Sequence, residues 1–373
     1  MSAIFVRPVT SASDTRQFIR FLWTVYKDYP AWVPPLIMDR KKLMDRKKNP
    51  FYRHADVEFY LAERNGSVVG RIAAIVNHHH NKEHGDTVGF FGFFESVNDP
   101  AVSTALLDKA AQFLRARGMT AMRGPVSPSI NDEIGVVIEG FDLSPTILMP
   151  YTPPYYVDLL EQYGFHKAKD LYAYILSQDT VYSEKLERVN NLVKEKHRIS
   201  FRSLDMKRLP EEVKRIKDVY NSAWTNNWGA VPLNDEEIDA LAADLKPIVV
   251  PDLVIFAEVG GRTIGFALSL PDINIALKYN RKGRLLPGLL RLYLHRKKIN
   301  LVRIIALGAI PEYQRSGAAG VLFYETAVRA KKLGYQFGEA GWVLEDNTSM
   351  NQAATALKGT PHKKYRLYEK PLV

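Results

Sequence analysis

Gln314-Arg315-Ser316-Gly317-Ala318-Ala319 is the stretch best suited to hold an anion. The apolar run Val302 to Leu307 before it reads as a buried strand. Pro311 marks a turn, and the spacing from about Gly320 to Lys332 predicts a helix. Small residues in such a loop let backbone approach a ligand closely. A helix starting just behind them aims its unpaired N–H groups at that ligand. The plainer account is an ordinary strand–turn–helix junction, where small residues are common. Carboxylates for proton transfer stand nearby in sequence, Glu339 on the next strand and Glu345 at its end, and Glu95 offers a third in the first half.

The loop spacing resembles the Gln/Arg-x-x-Gly-x-Gly/Ala motif of GCN5-related N-acetyltransferases, matched by Gln314, Gly317 and Ala319 in its strand–helix setting. The resemblance implies that this loop, with Arg315, Ser316 and Ala318, cradles the pyrophosphate of acetyl-CoA or another acyl-CoA as co-substrate. It implies that backbone N–H groups at Leu307, Gly308, Ala309 and Ile310 polarise the thioester carbonyl. Asn347 matches a position the family uses near the cofactor. The Tyr that the family often places on the following helix falls at Ala353-Ala354 and is absent. The alternatives are Glu339 or Glu345 as base and Tyr156 as proton donor, with Tyr151 and Tyr155 beside it. By analogy with N-myristoyltransferase, the Val373 carboxylate is a further base. Glu345 and Asp346 also suit a helix cap, which is their plainer role.

Composition narrows the class. A chain of 373 residues, 46% hydrophobic, can bury a large core and suggests two domains. Without cysteine there is no disulfide and no cysteine-held metal, and a cytoplasmic setting is expected. The start, MSAIFVRPVTSASD, has no apolar core of a signal peptide, and no run of eighteen apolar residues occurs. His78-His79-His80 and His84 read as a loop with no well-placed carboxylate, so no metal is expected.

The net charge of +10 is concentrated, with nine Lys or Arg and no acid between Lys278 and Arg303. Such a segment attracts phosphorylated ligands, nucleic acid or anionic lipid. Nucleic acid is not expected, because no helix-turn-helix or aromatic RNA-binding sheet is visible. The Leu-rich part, 284–298, could lie on a membrane surface or hold an acyl chain. Pro287-Gly288 interrupts it, and the expected arrangement is packing on the domain with its cations in water.

The elements that position the loop occur twice. Alternating runs joined by Asn65-Gly66 and by Gly260-Gly261 predict hairpins. Each is followed by a strand and a helix, Gly89 to Glu95 with Pro100 to Leu114 in the first half. There Ser96-Val-Asn-Asp-Pro100 replaces the small-residue loop, so this copy is expected to have lost phosphate binding. The irregular stretch Gly124 to Pro154, with Asn131 and Tyr151, and the cluster Trp224, Asn227 and Trp228 are expected to line the acceptor site. The expected fold is α/β, two GCN5-like lobes with mixed, mostly antiparallel sheets flanked by helices: residues 1–178 degenerate and 179–373 cofactor-binding. The expected activity is transfer of an acyl group, acetyl by default, to a small-molecule or peptide amine. The alternatives are a non-catalytic binding protein of the same fold and, less expected, a basic nucleic-acid-binding protein.

Overall fold

The computed structural model describes residues 3–181, 184–225 and 227–372. The chain forms two compact units. One holds residues 1–170, 276–293 and 363–373, and the other holds 171–275 and 294–362. The units thus depart from a single cut at 178/179. The strand His166–Ser177 gives its second part to the second unit, and Thr360–Pro371 gives most of its length to the first. A strand's apolar pattern fixes which face is buried but not which neighbour completes the ladder.

In the first unit the strands run in the order Phe5–Pro8, Ala55–Arg64, Ser67–Asn77, Val88–Ser96, Ala121–Gly124 and the C-terminal strand. All neighbours are antiparallel except Val88–Ser96 with Ala121–Gly124. Asn65-Gly66 turns the first hairpin with both residues at positive φ, as a two-residue type I′ loop requires. The helix Pro100–Arg115 buries Val102, Leu106, Leu107, Ala110 and Leu114 on the sheet. Residues 78–84 form a short helix rather than the expected loop. Asn77 caps it by accepting from the His79 and His80 N–H groups, and Gly85 ends it at φ 62°.

The second unit repeats this plan. Its order is Ser200–Ser203, Val254–Val259, Arg262–Pro271, Leu301–Ala309, Phe337–Leu344 and Leu171–Ser177, with the one parallel pair again at the centre. Helices Leu209–Ala223 and Asp235–Leu245 follow the first strand. Helix Ala318–Lys332 packs an apolar face that includes Val321, Leu322, Phe323 and Ala330. The basic segment, which lies mostly in the first unit, packs on the domain with its cations exposed, and the expectation fails only for the leucines. Helix Leu285–His295 turns Gly288 inward but leaves Leu286, Leu289 and Leu290 exposed, so its Leu-rich face is not packed.

Candidate functional site

The site is a gap between two parallel strands. Leu301–Ile304 pairs with Phe337–Ala340, and the pairing stops there. On the other side, the ladder with Arg262–Pro271 skips a residue between Leu268/Ala306 and Ser269/Ile304, a bulge that bends the strand and re-aims its backbone. Beyond it the Ile310 N–H donates to Ile264 O at 2.9 Å, so Ile310 is spent within the sheet and does not face a ligand. Antiparallel bonding alternates, so the Gly308 N–H also points to that ladder, while Leu307 and Ala309 turn theirs into the gap. Gly308 serves a different need. A Cβ there would lie 2.7 Å from the Trp224 ring, which stacks on Tyr220 at 4.7 Å.

The loop expected at 314–319 takes shape as a 3-10 turn over Pro311–Ser316, then Gly317 at φ 86° and the helix from Ala318. Only glycine adopts that φ at little cost. The Ser316 hydroxyl accepts from the Ala318 N–H at 3.2 Å and donates to Tyr313 O. Gly317 offers no side chain to cap the helix, its first turn holds no acidic residue, and a Cβ at Gly320 would meet nothing within 4 Å. A glycine-led helix N-terminus with no acidic residue in its first turn and open space at Gly320 fits a diphosphate. Arg315 is exposed beside it. Gln314 turns away, its side-chain amide donating to Ala223 O at 3.2 Å, so it braces the loop on the preceding helix.

Just before the strands part, Glu339 is wholly buried and lies 2.7 Å from His362 Nε2. Its register partner Arg303 is also buried and donates to Gly341 O. The His362 ring is partly exposed. If Nε2 carries the proton shared with Glu339, Nδ1 is left as a base. Sequence reasoning missed His362. Its only signal was a histidine beginning an alternating strand. Glu345 is half-buried at the end of Phe337–Leu344. The helix cap expected of it and Asp346 is made by Asn347 instead, whose side chain accepts from the Met350 N–H at 3.1 Å. That helix carries no tyrosine, and a phenol from another element reaches it instead. Tyr174, on the neighbouring strand, donates to Asn351 Oδ1 on that helix at 2.9 Å, and burial raises its phenol pKa. Trp228 and Asn227 sit in the turn after the helix that carries Trp224, the Asn227 N–H donating to Trp224 O. Val373 lies outside the described residues.

The proposed residues of the first unit take structural roles. Tyr156 is wholly buried, donates to Glu95 Oε2 at 2.6 Å and accepts from the Ser96 N–H at 3.0 Å. Burial pushes its phenol well above the ordinary value, so it is a pin rather than an accessible proton donor. Glu95 also receives Tyr26 and pairs with Arg71, and burial raises its carboxyl. Tyr151 is buried, donates to Phe141 O and packs edge-on against Tyr26. Asn131 is exposed.

No family model matches the chain. Protein YghO of Escherichia coli K12 is 34% identical over 98% of this chain and 95% of its own length. A protein named bacterial ceramide synthase, from Caulobacter vibrioides, is 36% identical over 98% of this chain and 97% of its own. Among solved structures, a tandem GNAT protein from the clavulanic acid biosynthesis pathway matches with TM-score 0.58 at 11% identity, across 100% of this chain and 99% of that one. A repeated unit of mixed sheet, splayed central strands and following helix, together with relatives of this identity and coverage, places the chain in the family of YghO and the bacterial ceramide synthase, built on the tandem GCN5-related N-acetyltransferase fold.

Proposed function

We propose that the protein is an acyl-CoA-dependent N-acyltransferase whose acceptor is a long-chain amino alcohol. The observation that carries the acyl-CoA part is the helix N-terminus behind Gly317, whose first-turn N–H groups have no carboxylate beside them and face open space at Gly320. These groups and Arg315 would hold the diphosphate. An acyl-CoA supplies a thioester carbon open to attack by an amine. The Leu307 and Ala309 N–H groups face the gap as donors for the oxygen that gains charge during attack. His362, held by Glu339, takes the proton of the incoming ammonium group. The C–S bond breaks as the amide C–N bond forms, and the released thiolate takes up a proton. Net, one ammonium and one thioester give one amide, one thiol and one proton.

Support for the acceptor comes from two sides. A ceramide is the amide of a fatty acid and a long-chain amino alcohol, and the relative bearing that name aligns along nearly the whole chain. Within the second unit, an apolar cleft lies between helices Leu209–Ala223 and Asp235–Leu245, lined by Val213, Ile216, Ile238, Leu241 and Leu268. Leu268 is the register partner of Ala306, next to Leu307, so this small apolar cleft of about 50 Å³ adjoins the same stretch of strand and would take only a short part of an alkyl chain. This reading replaces acetyl with a longer acyl group. The test is thiol release and mass spectrometry of the product, using palmitoyl-CoA or acetyl-CoA with sphinganine. Amide formed with palmitoyl-CoA supports the reading. Acyl-CoA binding without thiol release from any amine would favour the non-catalytic alternative.

A further inference from the structure

The helix Leu285–His295 is apolar on nearly all sides, yet it covers only one of them. Its inward face is set by Gly288, where a Cβ would lie 2.8 Å from Asn280 Nδ2 and 3.0 Å from Leu36 Cδ2. The segment before it is tied down by backbone bonds. The Trp23 indole donates to Arg281 O at 2.7 Å, and the Ile37 N–H donates to Gly283 O at 2.9 Å. Gly283 holds φ 60° with Trp23 packed against it. Opposite this anchored face stand Leu286, Leu289, Leu290, Tyr293 and Leu294, each more than half exposed, at 77%, 53%, 57%, 63% and 56%. Their spacing, i, i+3, i+4, i+7 and i+8, puts them on one stripe. A helix with apolar residues all round belongs in a core or against lipid, and this one is only half covered.

The charge around the stripe has one sign. Lys278, Arg281, Lys282, Arg284 and Arg291 are exposed around the helix, and Arg296, Lys297 and Lys298 follow it, also exposed. No acidic residue occurs between Asp272 and Glu312. A second copy of this chain would bring like charges together around its own stripe, which repels. A convex helix surface also cannot enclose a single acyl chain. A surface that is apolar beneath and anionic at its face accepts both features at once, and tyrosine suits the boundary between them. Among the described residues no helix is long and apolar enough to cross a membrane, so the helix would lie on it.

We propose that helix Leu285–His295 docks the protein on an anionic membrane surface, with Leu286, Leu289, Leu290 and Tyr293 in the acyl boundary and the flanking Lys and Arg at the phosphates. The inference rests on this helix alone and stands whether or not the protein is an acyltransferase. The experiment is flotation of the full chain with phosphatidylcholine vesicles, with and without phosphatidylglycerol, at low and high salt. The expected result is flotation with the anionic vesicles, weakened at high salt. Leu286→Glu with Leu290→Glu should lower partitioning roughly 100-fold or more. Arg281→Gln with Lys282→Gln and Arg284→Gln should lower it at least about 10-fold. The leucines are exposed, so the charged variants should keep the wild-type circular dichroism and unfolding midpoint. Three results would overturn the proposal: no binding of wild type to anionic vesicles, equal binding of wild type and the double Glu variant, or a dimer in sedimentation that the Glu variant dissociates while flotation is unchanged.

Discussion

The same strand–turn–helix junction occurs in both units and is finished in opposite ways. In the first unit, Val88–Phe90 pairs in parallel with Ala121–Arg123, and the strands then separate as they do in the second. There the free backbone edge is taken up by the protein itself. The Phe93 N–H donates to the Ser127 hydroxyl at 2.8 Å and the Ser96 N–H to Tyr156. Gly92 lies so close to Val126 that a Cβ would sit 1.5 Å from its carbonyl oxygen, which leaves no room for a ligand. The helix begins with Pro100, which has no N–H, and Asp99 caps it through the Ala101 N–H. A hydrogen bond from Arg64 holds the Asp99 carboxyl below its usual range, so a fixed negative charge occupies the place of a phosphate. In the second unit a glycine stands where Asp99 does, and no carboxylate caps the helix. The fold alone therefore does not make the proposed anion site. That site depends on keeping carboxylates off the helix N-terminus.

The strongest way to break this contrast is Gly317→Glu, which puts a side chain at φ 86° and a negative charge at the helix start. Titration calorimetry with palmitoyl-CoA should show affinity lowered by about 100-fold or more. Asp99→Ala, at the matching position, should leave that affinity unchanged and cost about 1 kcal/mol in denaturant unfolding. Equal loss of ligand in both variants would erase the distinction between the units.

Next comes the chemistry. Glu339→Gln and His362→Ala should each lower kcat by roughly 10²- to 10⁴-fold with acyl-CoA affinity nearly unchanged. Tyr156→Phe should keep kcat. A turnover loss with Tyr156→Phe at unchanged unfolding midpoint would return the proton donor to the first unit.

Two smaller effects belong to stability. His80 is buried against Phe90, and desolvation pushes its pKa down from 6.5 to about 4. The folded form keeps this ring neutral, so its contribution is present above pH 6.5 and is lost as pH falls toward about 4. The unfolding free energy from urea titrations should decline over that window by roughly 3 kcal/mol, and His80→Gln should flatten the decline. Tyr156→Phe should cost about 1–3 kcal/mol, since it leaves the Ser96 N–H buried without its acceptor.

Much of this fold is legible in the chain because its signals are local. Asn65-Gly66 and Gly260-Gly261 turn their hairpins at positive φ, as their residue types require. The strand read at Val302 to Leu307 extends over Leu301–Ala309, and the helix read from Gly320 begins at Ala318. The histidine segment misled because Asn77 and Gly85, residue types as common in loops as at helix ends, are the N-cap and C-cap of a short helix.

The sequence by itself determined the order of elements, the repeat, the glycine-led loop and the basic segment, since turns, periodicity and caps depend on neighbours a few residues apart. The tertiary structure decided the rest through contacts far apart in the chain. Tyr156 reaches Ser96 across 60 positions, Ser127 reaches Phe93 across 34, and His362 reaches Glu339 across 23. Strand partners, the pairing of a base with its carboxylate, and the exposure of one leucine stripe depend on which surfaces meet. Residue type and spacing leave that choice open, and packing makes it.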